Sequence, residues 1–329
     1  MKGGFLNLKE RIMLNKREEN ITLKEGFEKF LIVKKAMNLS EASIKGYKGS
    51  FRYFTDFIGE ETICSCITDD SFYSFIEYLR EKNSNITNTS INTYLRNLRA
   101  IFYFFMEKGF LPKYDIKLIK SEKKIKETYN DEELGRLLIK PDLNTCQFSE
   151  YRNWVIVSYL LGTGNRLNTL CNIKIGDVDL LNGNITLRQV KNKKAYILPL
   201  SATLNKILAE YIQLREGNDE DYLFCNTFGE QLCKNALTTA IERYNKRRGV
   251  EKTSIHLFRH TFAKSWILNG GDIFRLQKIL GHSSIEIVKE YVNMFGNDLK
   301  YNFDEFNPLE KVAGLNTEKQ YIKIKNKKN

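Results

Sequence analysis

Apolar and polar residues alternate along this chain with two periods, and the change of period divides it. Over the first third the period is helical. Thr22-Leu-Lys-Glu25 has the form of a capping box, in which a hydroxyl and a carboxylate three residues apart satisfy each other's backbone donors. Phe27, Phe30 and Leu31 continue at helical spacing, with Lys34 polar. Ser40 is placed to cap a second helix whose Ile44, Tyr47, Phe51 and Phe54 make one apolar face, with Lys45, Lys48 and Arg52 on the other side. A third helix is predicted from Asp69 or Asp70 to Arg80. A fourth starts near Thr89 or Ser90 and buries Ile91, Tyr94, Leu95, Leu98, Ile101, Phe102 and Phe105, leaving Arg96 and Arg99 off that stripe. Leu111-Pro112 is predicted to stop it, since proline supplies no N–H to the ladder. Four amphipathic helices predict a small bundle, with the aromatic stripes as its core.

The pattern then breaks. Within residues 113–127, the stretch from Lys117 to Lys126 holds lysines 117, 120, 123, 124 and 126 among few apolar positions, which reads as an exposed basic linker. A second domain is predicted over 128–312. Asn130-Asp-Glu-Glu133 opens a helix, Tyr151 to Leu161 forms an apolar one ending in Gly162-Thr-Gly164, and Leu167 to Ile173 a short one. Period-two segments follow at 177–180, 185–190 and 195–200. Asn182-Gly183 is a strong turn between the first two, and Lys191-Asn-Lys-Lys194 joins the last two. Helices return to about Phe295, with a short one near Pro308 to Val312 and a basic tail over 313–329. The predicted fold class is mainly α with a small antiparallel β-sheet: a helical domain at 20–112 and an α+β domain after the linker.

A chain of 329 residues fits two ordinary domains, and 42% hydrophobic residues suffice for two cores. Lysine and arginine outnumber the acids 52 to 40, a formal charge of +12. That excess favours a polyanionic partner, double-stranded DNA first and a membrane surface second. The linker lysines, Lys123 and Lys124 among them, and the off-stripe Lys45, Lys48, Arg52, Arg96 and Arg99 are the candidate phosphate contacts. The longest apolar run, near Trp154 to Leu161, is far short of the roughly 20 residues a bilayer requires. Met1 to Asn20 has no apolar signal region. Six cysteines without paired spacing read as reduced thiols, which points to the cytoplasm.

The histidines are three, His256, His260 and His282, all in one short stretch. His256 and Arg259 share a helix face at i, i+3, whereas His260 points elsewhere and reads as packing or a supporting hydrogen bond. His282 sits in a tight turn after Leu280-Gly281, and Tyr291 follows nine residues on. Arg166 projects from a helix start after a glycine-interrupted turn, and Lys191 lies at the mouth of the second hairpin, eight residues before Pro199. A three-histidine metal site lacks accompanying acidic or cysteine ligands at helical spacing, so neither metal nor cofactor is predicted. Together Arg166, Lys191, His256, Arg259, His282 and Tyr291 are what metal-free phosphoryl transfer needs. Guanidiniums fork onto non-bridging oxygens, a lysine or histidine protonates the leaving oxygen, and a tyrosine attacks phosphorus.

In order and spacing, Thr163-Gly-x-Arg166, Lys191, His256-x-x-Arg259-His260, Leu280-Gly-His282 and Tyr291 resemble the tyrosine recombinase (phage integrase) family, Xer-like or of the mobile-element kind. The resemblance covers essentially the whole chain. It implies that 20–112 is a SAM-like core-binding domain on DNA and that 128–312 is the tyrosine-recombinase catalytic domain. It further implies that Tyr291 is the nucleophile of a 3′-phosphotyrosine intermediate and that Arg166 and Arg259 clamp the scissile phosphate. Lys191 would then be the general acid, with Lys193 and Lys194 as competitors; His256 would be base or proton shuttle and His282 a phosphate donor. The family also implies a homo-tetramer on DNA, joined through a C-terminal segment. Thr169 departs from the acidic residue common three positions after that first arginine. Two other readings stay open here: a type IB topoisomerase-like nicking-closing enzyme and a non-catalytic DNA-binding regulator.

Overall fold

Thr22 opens the first helix as its pattern requires. In the computed structural model, which describes residues 21–121, 127–188 and 196–281, the Thr22 hydroxyl accepts from the Glu25 N–H at 3.2 Å. The Glu25 carboxylate accepts in turn from the Thr22 N–H at 3.0 Å. The helix is α1 (Leu23–Ala36). Ser40 caps α2 (Glu41–Ile58), and α3 (Asp69–Lys82) and α4 (Asn88–Lys108) follow from threonine caps. Helix α4 stops before the predicted Leu111-Pro112. Gly109 adopts φ 75°, a left-handed conformation open to glycine, and its N–H turns back to the carbonyls of Met106 and Phe105. The helix has therefore ended before the proline is reached.

These four helices enclose an aromatic core. Phe54 is fully buried, with its ring centroid 5.2–5.3 Å from those of Phe72, Phe75 and Phe102. Such pairs add about 0.5–1.5 kcal/mol each beyond burial itself. The chain after α4 stays on this unit through residue 121. Leu111 and Ile116 are buried, and the buried Asn92 side chain donates to the Ile119 carbonyl at 2.8 Å and accepts from its N–H at 3.0 Å. Lys113, Lys117 and Lys120 are exposed along the same stretch.

The chain divides into two compact units between Lys124 and Ile125. In the second, Asn130 and Glu133 form a capping box at α5 (Asp131–Leu137). The central element is α6 (Phe148–Thr163), buried continuously from Tyr151 to Leu160 and in contact with α8 (Ala202–Arg215), α9 (Lys234–Arg247) and α10 (His256–Leu268). Between α6 and α8 come α7 (Leu167–Leu170), shorter than predicted, and three strands: β1 (Val178–Asp179), β2 (Asn184–Leu187) and β3 (Tyr196–Pro199). They form one antiparallel sheet in the order β1-β2-β3. Register pairs Ile185 with Leu198, both buried, while Ile197 on the opposite face is exposed. The last helix among the described residues is α11 (Ile273–Leu280), capped by Asp272 as predicted and ended by Gly281. No described helix is long and apolar enough to cross a membrane. All six cysteines are free thiols, and burial pushes that of Cys64 up to about 12.

Candidate active site

The loop that presents Arg166 is locked from within. The Thr163 hydroxyl donates to the Tyr159 carbonyl at 2.7 Å and accepts from the Asn165 N–H at 3.3 Å. The Asn165 amide donates to the Tyr159 hydroxyl at 2.6 Å, and Tyr159, Thr163 and Asn165 are all buried. Gly164 is required twice over. It has φ 62°, and a Cβ there would lie 2.7 Å from a ring carbon of Phe262 and 2.8 Å from a methyl of Leu280. Arg166, the next residue but one, is the N-cap of α7 and half-buried. A rigid loop thus sets the direction of a charged side chain.

Arg259 reaches the same place from α10. Only 5% exposed, it donates from Nη1 to the Gly164 carbonyl at 2.8 Å and from Nη2 to the Leu280 carbonyl at 2.9 Å. Arg166 Nη1 donates to the same Leu280 carbonyl at 3.3 Å and to that of Gly281 at 3.5 Å. Two guanidiniums therefore meet at the C-terminal end of α11. A helix C-terminus leaves carbonyls unpartnered and carries the negative end of the helix dipole, which favours cations there. Hydrogen bonds to a charged group contribute about 1.5–3 kcal/mol each, which offsets the cost of bringing two like charges together. Both described partners of Arg166 are backbone carbonyls, in keeping with Thr169 standing where the family commonly has a carboxylate.

A third group arrives from the sheet. Tyr196, first residue of β3, donates its hydroxyl to the Ile279 carbonyl at 3.2 Å. Burial pushes its phenol upward in pKa, while the nearby Arg259 and Arg166 guanidiniums pull against that. On the other strand of the same hairpin, just past β2, Arg188 Nε donates at 2.5 Å to the buried Asp177 carboxylate, which also accepts from the Lys174 N–H at 2.9 Å. Both flanks of segment 189–195 are thereby tied down.

His256 is the first residue of α10 and exposed, one turn before Arg259; His260 is half-buried on that helix. The start of α10 is braced by Tyr129, whose N–H donates to Thr261 Oγ1 at 2.9 Å and whose ring lies 4.6 Å from that of Phe258. Lys191, with Lys193 and Lys194, and also His282, Tyr291, Lys123 and Lys124 lie outside the described residues. In the helical unit Lys45, Lys48, Arg52 and Arg96 are exposed, as their place off the apolar faces predicts. Arg99 is more engaged: it donates to the Tyr103 hydroxyl at 3.3 Å and lies 3.8 Å from Asp115. Among the described residues no cluster of three or more His, Cys, Asp or Glu is placed to hold a metal ion. Asn165, Gly164 and Tyr196 were not singled out from sequence. The Gly-x-Gly punctuation at 162–164 hinted at the glycine, but no local signal marks Tyr196, whose partner is 83 positions away.

Comparison with known proteins gives a consistent result. Residues 130–297 match the phage integrase family, and residues 21–124 match the phage integrase SAM-like domain. The chain is 29% identical over 307 residues to the tyrosine recombinase XerD of Staphylococcus haemolyticus, covering 87% of this chain and 99% of that one. It is 27% identical to XerD of Listeria monocytogenes serotype 4b over 86% of this chain and 98% of the other. Among solved structures, the Tn1549 transposon integrase in complex with a circular-intermediate DNA superposes with TM-score 0.68 at 18% identity, covering 87% of this chain and 100% of that one. The XerH site-specific recombinase bound to its difH substrate gives 0.62 at 24% identity, over 83% and 81%. At these identities the structural likeness speaks to fold.

Proposed function

The chain belongs to the phage integrase family, and from that premise we propose that it is a tyrosine site-specific recombinase that cuts and rejoins double-stranded DNA. The observation that carries this reading is the convergence of Arg166 and Arg259 on one point at the end of α11. Paired guanidiniums at one point are what a pentavalent phosphorane requires, since negative charge builds on the non-bridging oxygens as the nucleophile adds. The Tyr291 hydroxyl attacks the scissile phosphorus and loses its proton towards His256. The 5′-oxygen leaves with a proton from Lys191, and a 3′-phosphotyrosine ester remains. His282 donates to a non-bridging oxygen. The free 5′-hydroxyl of a second strand then attacks the ester and releases the tyrosine, so phosphodiester bonds are conserved in number. No high-energy cofactor enters the balance.

Lys45, Lys48, Arg52, Arg96 and Arg99 of the helical unit, with Lys123 and Lys124, are assigned to the phosphate backbone. The protein works as a homo-tetramer on two DNA sites, joined through the segment after Tyr291. We assign it to the cytoplasm, a reading that its free thiols and a DNA substrate support.

The test is an incubation with two copies of the cognate site. Recombinant junctions between sites, formed without metal or nucleotide, are expected. Relaxation of supercoils with no joining between sites would instead indicate a nicking-closing enzyme, and binding without either product a regulator.

A further inference from the structure

Three side chains from three separate elements cap the C-terminal end of α11. Tyr196 from β3 takes the Ile279 carbonyl, Arg259 from α10 takes that of Leu280, and Arg166 at the start of α7 takes those of Leu280 and Gly281. The helix leaves these last carbonyls without intrahelical partners, so each is available to a donor from outside. Gly281 completes the end in a left-handed conformation at φ 61°, its N–H returning to Gln277 and Lys278. A Cβ built on Gly281 would stand 3.6 Å from the Tyr196 hydroxyl and 3.8–3.9 Å from its ring, so the phenol lies directly against this turn.

We propose that Tyr196 is a positioning residue for the arginine pair: by holding the Ile279 carbonyl it fixes the α11 terminus on which Arg166 and Arg259 are aligned. This rests on the reading of the arginines as the phosphate clamp. Of the three caps Tyr196 alone is uncharged, so it can register the helix end without competing for a phosphate's charge. It is also the one contributed by the sheet, and it follows directly on the segment bearing Lys191. The phenol must keep its proton to donate, as an ordinary tyrosine does at neutral pH.

The variant is Tyr196→Phe in the full-length protein, which keeps the ring and removes only the donor. Covalent adduct is followed in single turnover on two nicked site duplexes, one with a normal scissile phosphate and one with a methylphosphonate there. The methylphosphonate lacks a charged non-bridging oxygen and so depends less on guanidinium alignment. The expected loss is about tenfold on the phosphodiester, one misaligned hydrogen bond's worth, and much smaller on the methylphosphonate, with DNA affinity unchanged. In an Arg166→Ala background, where only Arg259 is left to align, Tyr196→Phe is expected to cost clearly less than in the unaltered protein, because residues acting as a unit do not add. Equal losses on both substrates, independent multiplication of the two variants' losses, or no loss at all would overturn the inference. Those outcomes are distinct from failure of the underlying reading, in which the unaltered protein itself yields no adduct on the phosphodiester and both fall together.

Discussion

The two units bury different things. Among the described residues, the helical unit's buried polar side chains are Ser50 and Asn92, beside a core of closely packed phenylalanines. In the second unit Arg152, Asn153, Ser158, Thr163, Asn165, Asp177, Asn245, Arg259 and Thr261 are all buried. An aromatic core needs only shape and area, and its stability is spread over many rings. A buried guanidinium needs a full set of acceptors, or it costs more than it contributes. The second unit supplies them: Arg259 donates to the Gly164 and Leu280 carbonyls, and Arg152 to the Cys225 carbonyl at 2.9 Å and to the Asn153 side-chain oxygen at 3.0 and 3.3 Å. The first unit is thus a core held by apolar packing with its cations on the surface, and the second a scaffold that holds charged groups inside.

That contrast can be broken most severely at the helical unit's centre. Phe54→Ala removes the ring shared by Phe72, Phe75 and Phe102. It is expected to lower the stability of the helical unit by about 3–5 kcal/mol, read by denaturant unfolding. The chemical step of bound, folded protein should be unaltered. A reduced cleavage rate in the protein that remains folded would contradict a purely structural core.

A sharper comparison sets one buried asparagine against another. Asn92→Ala strips the Ile119 backbone of two partners, and Asn165→Ala strips Tyr159 of one. Each is expected to cost about 1–3 kcal/mol of stability. Only Asn165→Ala should slow adduct formation, by about tenfold, because only its loop carries Arg166. Equal effects on cleavage would erase the distinction between the units.

The smallest effects belong to the helical unit's surface. Replacing Lys45, Lys48 or Arg52 singly by Ala is expected to flatten the salt dependence of DNA affinity by about one unit of slope each. Arg99, already paired with Tyr103 and Asp115, should give less. Fluorescence anisotropy over a range of salt decides this, and unchanged slopes for Lys45, Lys48 and Arg52 would remove that face from the DNA.

The same contrast governs what could be read in advance. The helical unit was legible because its stabilisation is local and periodic. All four helices, with the caps Thr22 and Ser40, follow from spacing; the end of α3 and both ends of α4 differ by a few residues, most at the C-terminus of α4, where Gly109 acts before Pro112. In the second unit periodicity fails where burial is all-round. Helix α6 has no solvated face and no side-chain cap at Gln147, so its limits fell at Phe148–Thr163 rather than Tyr151 to Leu161. Arg166, His256 and Arg259 were legible through family spacing. Their supports were not, since Tyr196, Gly164 and Asn165 act through partners that folding alone brings near or through backbone geometry no motif spells out. A hydrogen bond to a carbonyl places no demand on the identity of the residue bearing it, so it leaves no mark in the sequence.

The central claim is that Tyr291 becomes esterified to DNA under the control of Arg166 and Arg259. The direct measurement is a denaturing gel of the full-length protein incubated with a nicked duplex of its own site, from which the cleaved fragment diffuses away. A protein–DNA adduct is expected from the unaltered chain and none from Tyr291→Phe. Absence of the adduct with all six catalytic candidates intact, or its persistence in Tyr291→Phe, would contradict the account.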